Sequence, residues 1–166
     1  MQSDIGALCH SHLEFMKWAD ETVLTALLQL PADKISLDLG SSFQSMLGTL
    51  VHIYLAEWVW LKRVRGEQNP QIGDVESPTR AESLAEVWQG MHQMWLDWAG
   101  SLDAGGWPHL CAYRNMRGED VSMPNWQIVM HLVNHGSYHR GQVATMLRQS
   151  GITPTGTDLV TFYRTH

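Results

Sequence analysis

The sequence carries little charge, and it lacks an apolar run long enough to cross a membrane. Only 17% of its 166 residues are charged. The densest apolar stretch, from Val51 to Leu61, contains His52 and Glu57 and is well short of the roughly 20 residues that a transmembrane helix needs. The sequence therefore predicts a soluble protein without a membrane partner.

Concentrated positive charge is missing as well. The 11 basic residues are outnumbered by 17 acidic ones, and the formal net charge is -6. The nearest approach to a basic cluster is formed by Lys62, Arg63 and Arg65. Because proteins that bind nucleic-acid phosphates need a strongly basic surface, we expect no nucleic-acid partner.

Cysteine is scarce, and common catalytic motifs are absent. Cys9 and Cys111 form no pair at metal-binding spacing, and the sequence does not begin with a basic segment followed by an apolar signal stretch. Both observations favour a location in the reducing cytoplasm. We find no Ser-His-Asp order, phosphate-binding glycine loop, dinucleotide fingerprint or identifiable general base. Metal chemistry is the one catalytic device that the residues suggest.

Large apolar side chains and histidines are abundant instead. The chain is 44% apolar and has 8 tryptophans, 9 methionines and 9 histidines. Its length and composition fit one globular domain over residues 1–166. The apolar surplus suggests wide buried faces or an interface between two copies of the chain.

Apolar periodicity predicts four long helices and hence an all-α, four-helix bundle. Pro31 interrupts the first helix, Thr79 and Glu82 resemble a capping box, and Gly151 suits the end of the fourth helix. The expected helices run from Ser3 or Asp4 to Leu30, from Ser41 or Ser42 to about Arg65, from Thr79 to near Gly105, and from Pro124 to about Ser150.

Two segments depart from helical periodicity. Between Trp107 and Met123, two short stretches flank a turn at Asn115 to Gly118. This pattern predicts a short β-hairpin, or an irregular insertion, between helices three and four. The tail, from Ile152 to His166, is expected to be irregular.

Three histidines follow one another at four-residue intervals in the fourth predicted helix. This spacing places His131, His135 and His139 near one face, but about 12 Å of helix rise separates the outer two, which is too far for both to bind one ion. His135 and His139 lie further into the apolar sector than His131 does. They are therefore the candidate metal ligands, and His131 is left out.

A third ligand is expected from another helix, because catalytic zinc-type sites usually have three protein ligands. His52 lies in the apolar part of the second helix, and Gly48 and Ala56, one turn away on either side, leave room beside an ion. A lone histidine is more often a hydrogen-bonded core residue, but the paired spacing in the fourth helix favours a metal. The candidate ligands are thus His52, His135 and His139.

The other polar residues are weaker candidates. Glu57 lies about 140° from His52 around the helix, so we expect it to face another partner. No catalytic role is assigned to Tyr54, Tyr138 or Arg140. The remaining histidines are expected to be structural or exposed, namely His10, His12, His92, His109 and His166.

Several segments together resemble the DinB family. The most specific is His131 to Gln142, HLVNHGSYHRGQ, and Tyr113 to Gly118 and Asp158 to Tyr163 also match. Thr49 to His52 and Pro124 to Trp126 extend the resemblance over essentially the whole chain. The resemblance implies a four-helix bundle with a divalent-metal site made by three histidines.

By position, the resemblance assigns the metal ligands to His52, His135 and His139. It also implies zinc or nickel as the ion, a homodimer, and a thiol-dependent activity, because characterised relatives include transferases and isomerases that use bacillithiol or mycothiol. The family name refers to damage-inducible expression, which suggests a stress response.

Three neutral imidazoles would leave a divalent ion with an open coordination position. There, zinc would lower the pKa of bound water toward about 7, or convert a small thiol into a nucleophilic thiolate. We therefore expect a divalent-metal-dependent enzyme, either a thiol-dependent transferase or a hydrolase, acting on a small molecule. The alternative is a non-catalytic metal-binding or ligand-binding dimeric bundle, such as a sensor or stress-response module.

Overall fold

Four long helices form the body of the molecule. The computed structural model describes residues 2–166, with side chains from residue 5 onward. Within that part of the chain, the α-helices and strands are α1 (Gln2–Leu28), α2 (Ala32–Ile35), α3 (Met46–Val64), α4 (Ala81–Ser101), β1 (Leu110–Arg114), β2 (Asp120–Pro124), α5 (Asn125–Gln149) and α6 (Leu159–Thr165), with one short 3-10 helix (Ile72–Asp74) between α3 and α4. Helices α1 and α3 each pack against both α4 and α5. The predicted four-helix bundle is therefore confirmed.

The bundle closes around one apolar core. Trp88 and Trp95 of α4 are among the largest fully buried side chains, and they share the core with Leu50 and Ile53 of α3 and Leu132 of α5. The tryptophans of α4 thus pack inside the molecule and contribute the large burial that favours folding. Among the described helices, none combines the length and the apolar character needed to cross a membrane.

The start of α3 lies later than the sequence suggested. Ser41 and Ser42 were expected as N-caps, but both lie in a tight turn that precedes the helix. The N–H of Gln44 donates to the Ser41 carbonyl at 2.9 Å, and Gln44 has a positive φ of 65°. Ser45 is the actual N-cap, and its hydroxyl accepts the N–H of Gly48 at 3.0 Å. The turn brings Phe43 close to the beginning of α3.

The capping box expected for the third long helix does not form. The N-cap of α4 is Arg80, without a side-chain cap, so Thr79 lies one residue too early to cap the helix. The helix ends at Ser101, before Gly105, because Leu102 already has extended backbone angles of φ -85° and ψ 133°.

The predicted hairpin is present between α4 and α5. Strands β1 and β2 pair antiparallel, with Cys111 opposite Met123. The side chain of Asn115 closes the turn by accepting the N–H groups of Arg117 and Glu119, and Gly118 supplies the positive φ of 79°. Pro124, the last residue of β2, then directly precedes α5.

The tail is not wholly irregular, as the sequence had suggested, because it contains α6. Phe162 of this short helix is buried, and its ring centre lies 5.7 Å from those of Phe15 and Trp18 in α1. Phe162 is the one buried side chain of this seven-residue helix. A single buried position gives too little periodicity to predict a helix. For the same reason the short α2, which buries Ile35, was not predicted.

Candidate metal centre

Three histidines from two helices meet at one point of the bundle. His52 lies on α3, His135 and His139 lie on α5, and each offers a ring nitrogen within 4.8 Å of the others. The Nε2 atoms of His52 and His135 are 3.1 Å apart. Three nitrogen ligands around a tetrahedral ion lie about 3.3 Å apart, so this spacing suits a divalent ion. The structure thus brings the three predicted ligands together.

A hydrogen bond orients the ring of His139. Gln142, one helical turn further along α5, accepts a hydrogen bond from Nδ1 of His139 at 2.8 Å. Because an amide oxygen only accepts, the proton is on Nδ1 and the lone pair of Nε2 is available to an ion. Gln142 belongs to the segment that resembles the DinB family, but the sequence did not predict this hydrogen bond, although a spacing of three residues places Gln142 within reach of His139.

An aromatic ring covers one side of the site. Phe43 stacks on His52, with ring centres 3.8 Å apart and ring planes 15° apart. It also contacts His139 in an edge-to-face arrangement, with ring centres 5.4 Å apart. Gly48 makes this possible, because a Cβ at this position would overlap the carbonyl oxygen of Phe43. Gly48 therefore leaves room for the backbone of Phe43 rather than for an ion, which corrects the role expected from the sequence.

The site holds His52 and His135 in the neutral form. Burial, together with the charge of His139, lowers the pKa of His52 to about 4. Burial lowers the pKa of His135 to about 4 as well, and the charges of His139 and His52 act in the same direction. Near pH 7 both rings are neutral, which is the form that binds a metal ion.

His131 lies beside the three-histidine group without joining it. Its ring centre is 5.7 Å from that of His135 and 5.4 Å from that of Trp60. Burial and the nearby charge of Arg63 lower its pKa. This position agrees with the expectation that a single ion does not bind all three histidines of α5.

A second polar group is buried where all four long helices meet. We call Asp20 of α1, Glu57 of α3, His92 of α4 and Arg140 of α5 the buried polar cluster. Arg140 Nη1 donates to Asp20 Oδ1 at 2.7 Å, and the indole N–H of Trp88 donates to Glu57 Oε2 at 2.7 Å. Glu57 thus has a partner other than His52, as expected, whereas a shared cluster for His92 and Arg140 was not predicted.

The charges of the buried polar cluster are unevenly distributed. Burial by itself raises the pKa of Asp20, but the charge of Arg140 and the hydrogen bond that Arg140 donates help to outweigh this effect, so the pKa of Asp20 lies below its ordinary value. Burial and the charge of Asp20 raise the pKa of Glu57 well above its ordinary value. The fold therefore holds Asp20 ionised against Arg140 and favours a proton on Glu57.

The remaining histidines lie away from the three-histidine group. His12 binds the backbone carbonyl of Leu8 through Nδ1 at 2.8 Å, and His166 stacks on Phe162 with ring centres 4.7 Å apart. His10 lies on the same face of α1 as Glu14, with 3.8 Å between His10 Nε2 and Glu14 Oε1. These positions agree with structural or exposed roles.

Comparison with known proteins identifies the family. The model of the DinB family matches residues 1–166. Protein DinB of Bacillus subtilis (strain 168) is 23% identical over 152 residues, which covers 87% of this chain and 87% of that protein. The uncharacterized protein YrdA of the same organism is 32% identical over 84 residues, covering 50% of this chain and 47% of that protein.

A solved structure shares the fold. The crystal structure of a DinB-like protein from Bacillus cereus ATCC 10987 superposes with a TM-score of 0.61 at 20% sequence identity. The match covers 87% of this chain and 94% of that chain. At this level of identity the likeness concerns the fold, including the helical bundle that carries the three histidines.

Proposed function

Because this chain belongs to the DinB family and three of its histidines converge, we propose that it is a divalent-metal-dependent enzyme acting on a small molecule. His52, His135 and His139 would hold the ion. The observation that supports this most strongly is the set of three imidazole nitrogens within 4.8 Å of one another. Three ligands leave an ion with a position for water or substrate, as in catalytic zinc sites.

The residues of the chain would prepare the site for this ion. Gln142 keeps the proton of His139 on Nδ1, and Phe43 fixes the ring plane of His52 by stacking. The lowered pKa values of His52 and His135 keep both rings neutral near pH 7, so that one nitrogen of each ring has a lone pair for the ion. A bound divalent ion would supply Lewis acidity at the open position, lowering the pKa of a coordinated water or thiol.

We propose a small thiol as one substrate, which makes the protein a thiol-dependent transferase. The two cysteines of the chain are buried, and burial raises the pKa of Cys9 to about 11 and also raises the pKa of Cys111. Neither is therefore suited to act as a thiolate near pH 7. A nucleophilic sulfur would have to come from a small molecule at the metal.

We propose zinc or nickel as the ion and a homodimer as the functional assembly. Imidazole nitrogen is a good ligand for both metals, and the family resemblance suggests the dimer. Light scattering of the purified protein at micromolar concentration measures the molar mass and hence the number of chains.

The proposed activity can be tested with the cobalt-substituted protein. A small thiol added to this protein should change its visible spectrum, because a thiolate enters the open position. The loaded protein should also speed transfer of the thiol to a chromogenic aryl chloride, with release of chloride. His139→Ala should lose both effects. A cobalt spectrum that no thiol or small anion alters, with no transfer, would contradict an enzyme and indicate a closed metal-binding site.

A further inference from the structure

The buried polar cluster contains atoms for which the described residues offer no partner. Both ring nitrogens of His92, Oδ2 of Asp20 and Oε1 of Glu57 are buried and accept or donate no hydrogen bond within residues 2–166. The residues are 2%, 0% and 1% exposed, respectively. Since nearly all buried polar groups in proteins are paired, several unpaired atoms that face one another indicate a missing occupant.

The distances within the cluster suit an ion better than hydrogen bonds. His92 Nε2 lies 3.4 Å from Asp20 Oδ2 and 3.8 Å from Glu57 Oε2. A hydrogen bond between such groups would be about 2.7 to 3.2 Å long. Neighbouring nitrogen and oxygen ligands of one divalent ion lie about 3.0 to 3.6 Å apart, so only a few tenths of an ångström separate the cluster from a ligand set.

Each carboxylate keeps one oxygen atom without a hydrogen-bond partner among the described residues. Arg140 binds the Oδ1 atom of Asp20 and not Oδ2, and Trp88 binds the Oε2 atom of Glu57 and not Oε1. Partners of this kind orient the carboxylate ligands of metal ions. Without an ion, the proton favoured on Glu57 leaves the cluster neutral. A divalent cation would displace that proton, and it would then offset the single net negative charge of the two carboxylates and Arg140.

A cavity leads toward the cluster from the space between α1 and α4. It has a volume of about 150 Å³, and Trp88 and His92 of α4 and Glu21, Leu24 and Thr25 of α1 are among its lining residues. A water molecule occupies about 30 Å³ of liquid volume, so the cavity has room for several waters beside the ring of His92. An ion would have to reach the cluster past this ring.

We propose that the buried polar cluster is a second metal site. Its ligands are Asp20, Glu57 and His92, which lie on three different helices and together bind one divalent ion. Two carboxylates and one imidazole form a harder ligand set than three imidazoles. The site should therefore accept Mn²⁺ or Fe²⁺ more readily than the three-histidine group does. The chain would then carry two ions of different chemistry within one bundle.

The experiment uses Mn²⁺ as the probe and fills the three-histidine group first. Protein loaded with one equivalent of zinc is titrated with Mn²⁺, and free Mn²⁺ is followed by electron paramagnetic resonance. We expect one Mn²⁺ per chain beyond the zinc. His139→Ala should still bind that Mn²⁺, so failure of the three-histidine proposal and failure of this one give different results.

Three substitutions locate the bound Mn²⁺. His92→Gln and Glu57→Gln should weaken Mn²⁺ binding at least about tenfold while leaving zinc binding unchanged. Glu21→Gln, at the cavity but outside the cluster, is the matched control and should change the affinity less than about twofold. Glutamine at position 57 still accepts the Trp88 hydrogen bond, so this variant should fold, as circular dichroism would verify.

Two results would overturn the proposal. One is the absence of Mn²⁺ binding in the zinc-loaded wild type, which would mean that the cluster holds only protons and internal ion pairs. The other is unchanged Mn²⁺ affinity in a folded Glu57→Gln protein. If neither glutamine variant folds, the stoichiometry of the wild type and of His139→Ala decides the question.

Discussion

The side chain that accepts a hydrogen bond from His139 determines which nitrogen of that ring faces the other two histidines. In the structure this acceptor is Gln142, at 2.8 Å from Nδ1. Without it, the proton can move to Nε2, and the ring can rotate away from His52 and His135. The metal affinity of the site should therefore depend on a residue that contacts no metal.

Replacing Gln142 tests this dependence. Gln142→Leu should weaken zinc binding by about 10- to 100-fold with little change in helix content, because only the orientation and tautomer of His139 are lost. Gln142→Glu, which can still accept the hydrogen bond, should remain close to the wild type. Competition with a chromophoric chelator measures both affinities, and equal affinity of Gln142→Leu and wild type would show that the hydrogen bond has no role.

The lowered pKa values of His52 and His135 predict how the stability of the metal-free protein depends on pH. The unfolded chain takes up protons on these residues below about pH 6.5, whereas the folded protein does so only near pH 4. The unfolded state thus binds more protons in this window, and the free energy of unfolding should decrease as the pH falls from about 6.5 toward 4.

Urea denaturation of the metal-free protein near pH 7 and near pH 5 measures this loss of stability. The double variant His52→Asn, His135→Asn should lose distinctly less between the two conditions, because neither position titrates there. An identical loss in the double variant would assign the pH dependence to other groups.

At the scale of single elements, the turn before α3 is as important to the site as the helices are. It places Phe43 on the ring of His52, and Gly48 allows the close approach of the Phe43 backbone. The site is thus built from a turn and two helices rather than from two helices alone.

A pair of glycine-to-alanine substitutions tests the role of this turn. Gly48→Ala should lower the free energy of unfolding by about 1 to 3 kcal/mol, because the new methyl group overlaps the Phe43 carbonyl. It should also weaken zinc binding, because Phe43 then moves away from His52. Gly90→Ala, in open space within α4, should instead stabilise the protein by about 0.5 to 1 kcal/mol. Urea denaturation compares the two, and a stable Gly48→Ala protein with unchanged zinc affinity would contradict the account.

The elements also show how far sequence alone could predict this molecule. Helical periodicity and turn residues predicted the four long helices and the hairpin, because these features are local and repeat several times. The spacing of His135 and His139 on α5 predicted two ligands for the same reason. The N-cap at Ser45 was missed because several serines precede the helix, and only the geometry of the turn selects one of them.

Contacts between distant parts of the chain could not be predicted in this way. Asp20 and Arg140 are separated by 120 residues, and their ion pair depends on how α1 packs against α5. The stacking of Phe43 on His52 likewise depends on the path of the turn. Such contacts belong to the packing of the whole bundle and leave no periodic signal in the sequence.

At the scale of the whole molecule, the pair formed by Asp20 and Arg140 ties α1 to α5 inside the core. Removing one partner leaves the other charge buried without compensation. Arg140→Met should therefore lower the free energy of unfolding by about 3 to 5 kcal/mol, whereas the double variant Asp20→Asn, Arg140→Met should lose less. A double-mutant cycle by urea denaturation measures this coupling, and strictly additive losses would mean that the pair is not a unit.

The geometry of the three-histidine group predicts one tightly bound divalent ion at this site. The most direct test is the zinc content of the purified protein after addition of one equivalent of zinc and desalting. Elemental mass spectrometry measures it for the wild type, His131→Ala and His139→Ala. We expect about one zinc per chain in the wild type and in His131→Ala, and little in His139→Ala. No zinc in the wild type, or equal zinc in His139→Ala, would contradict the central claim.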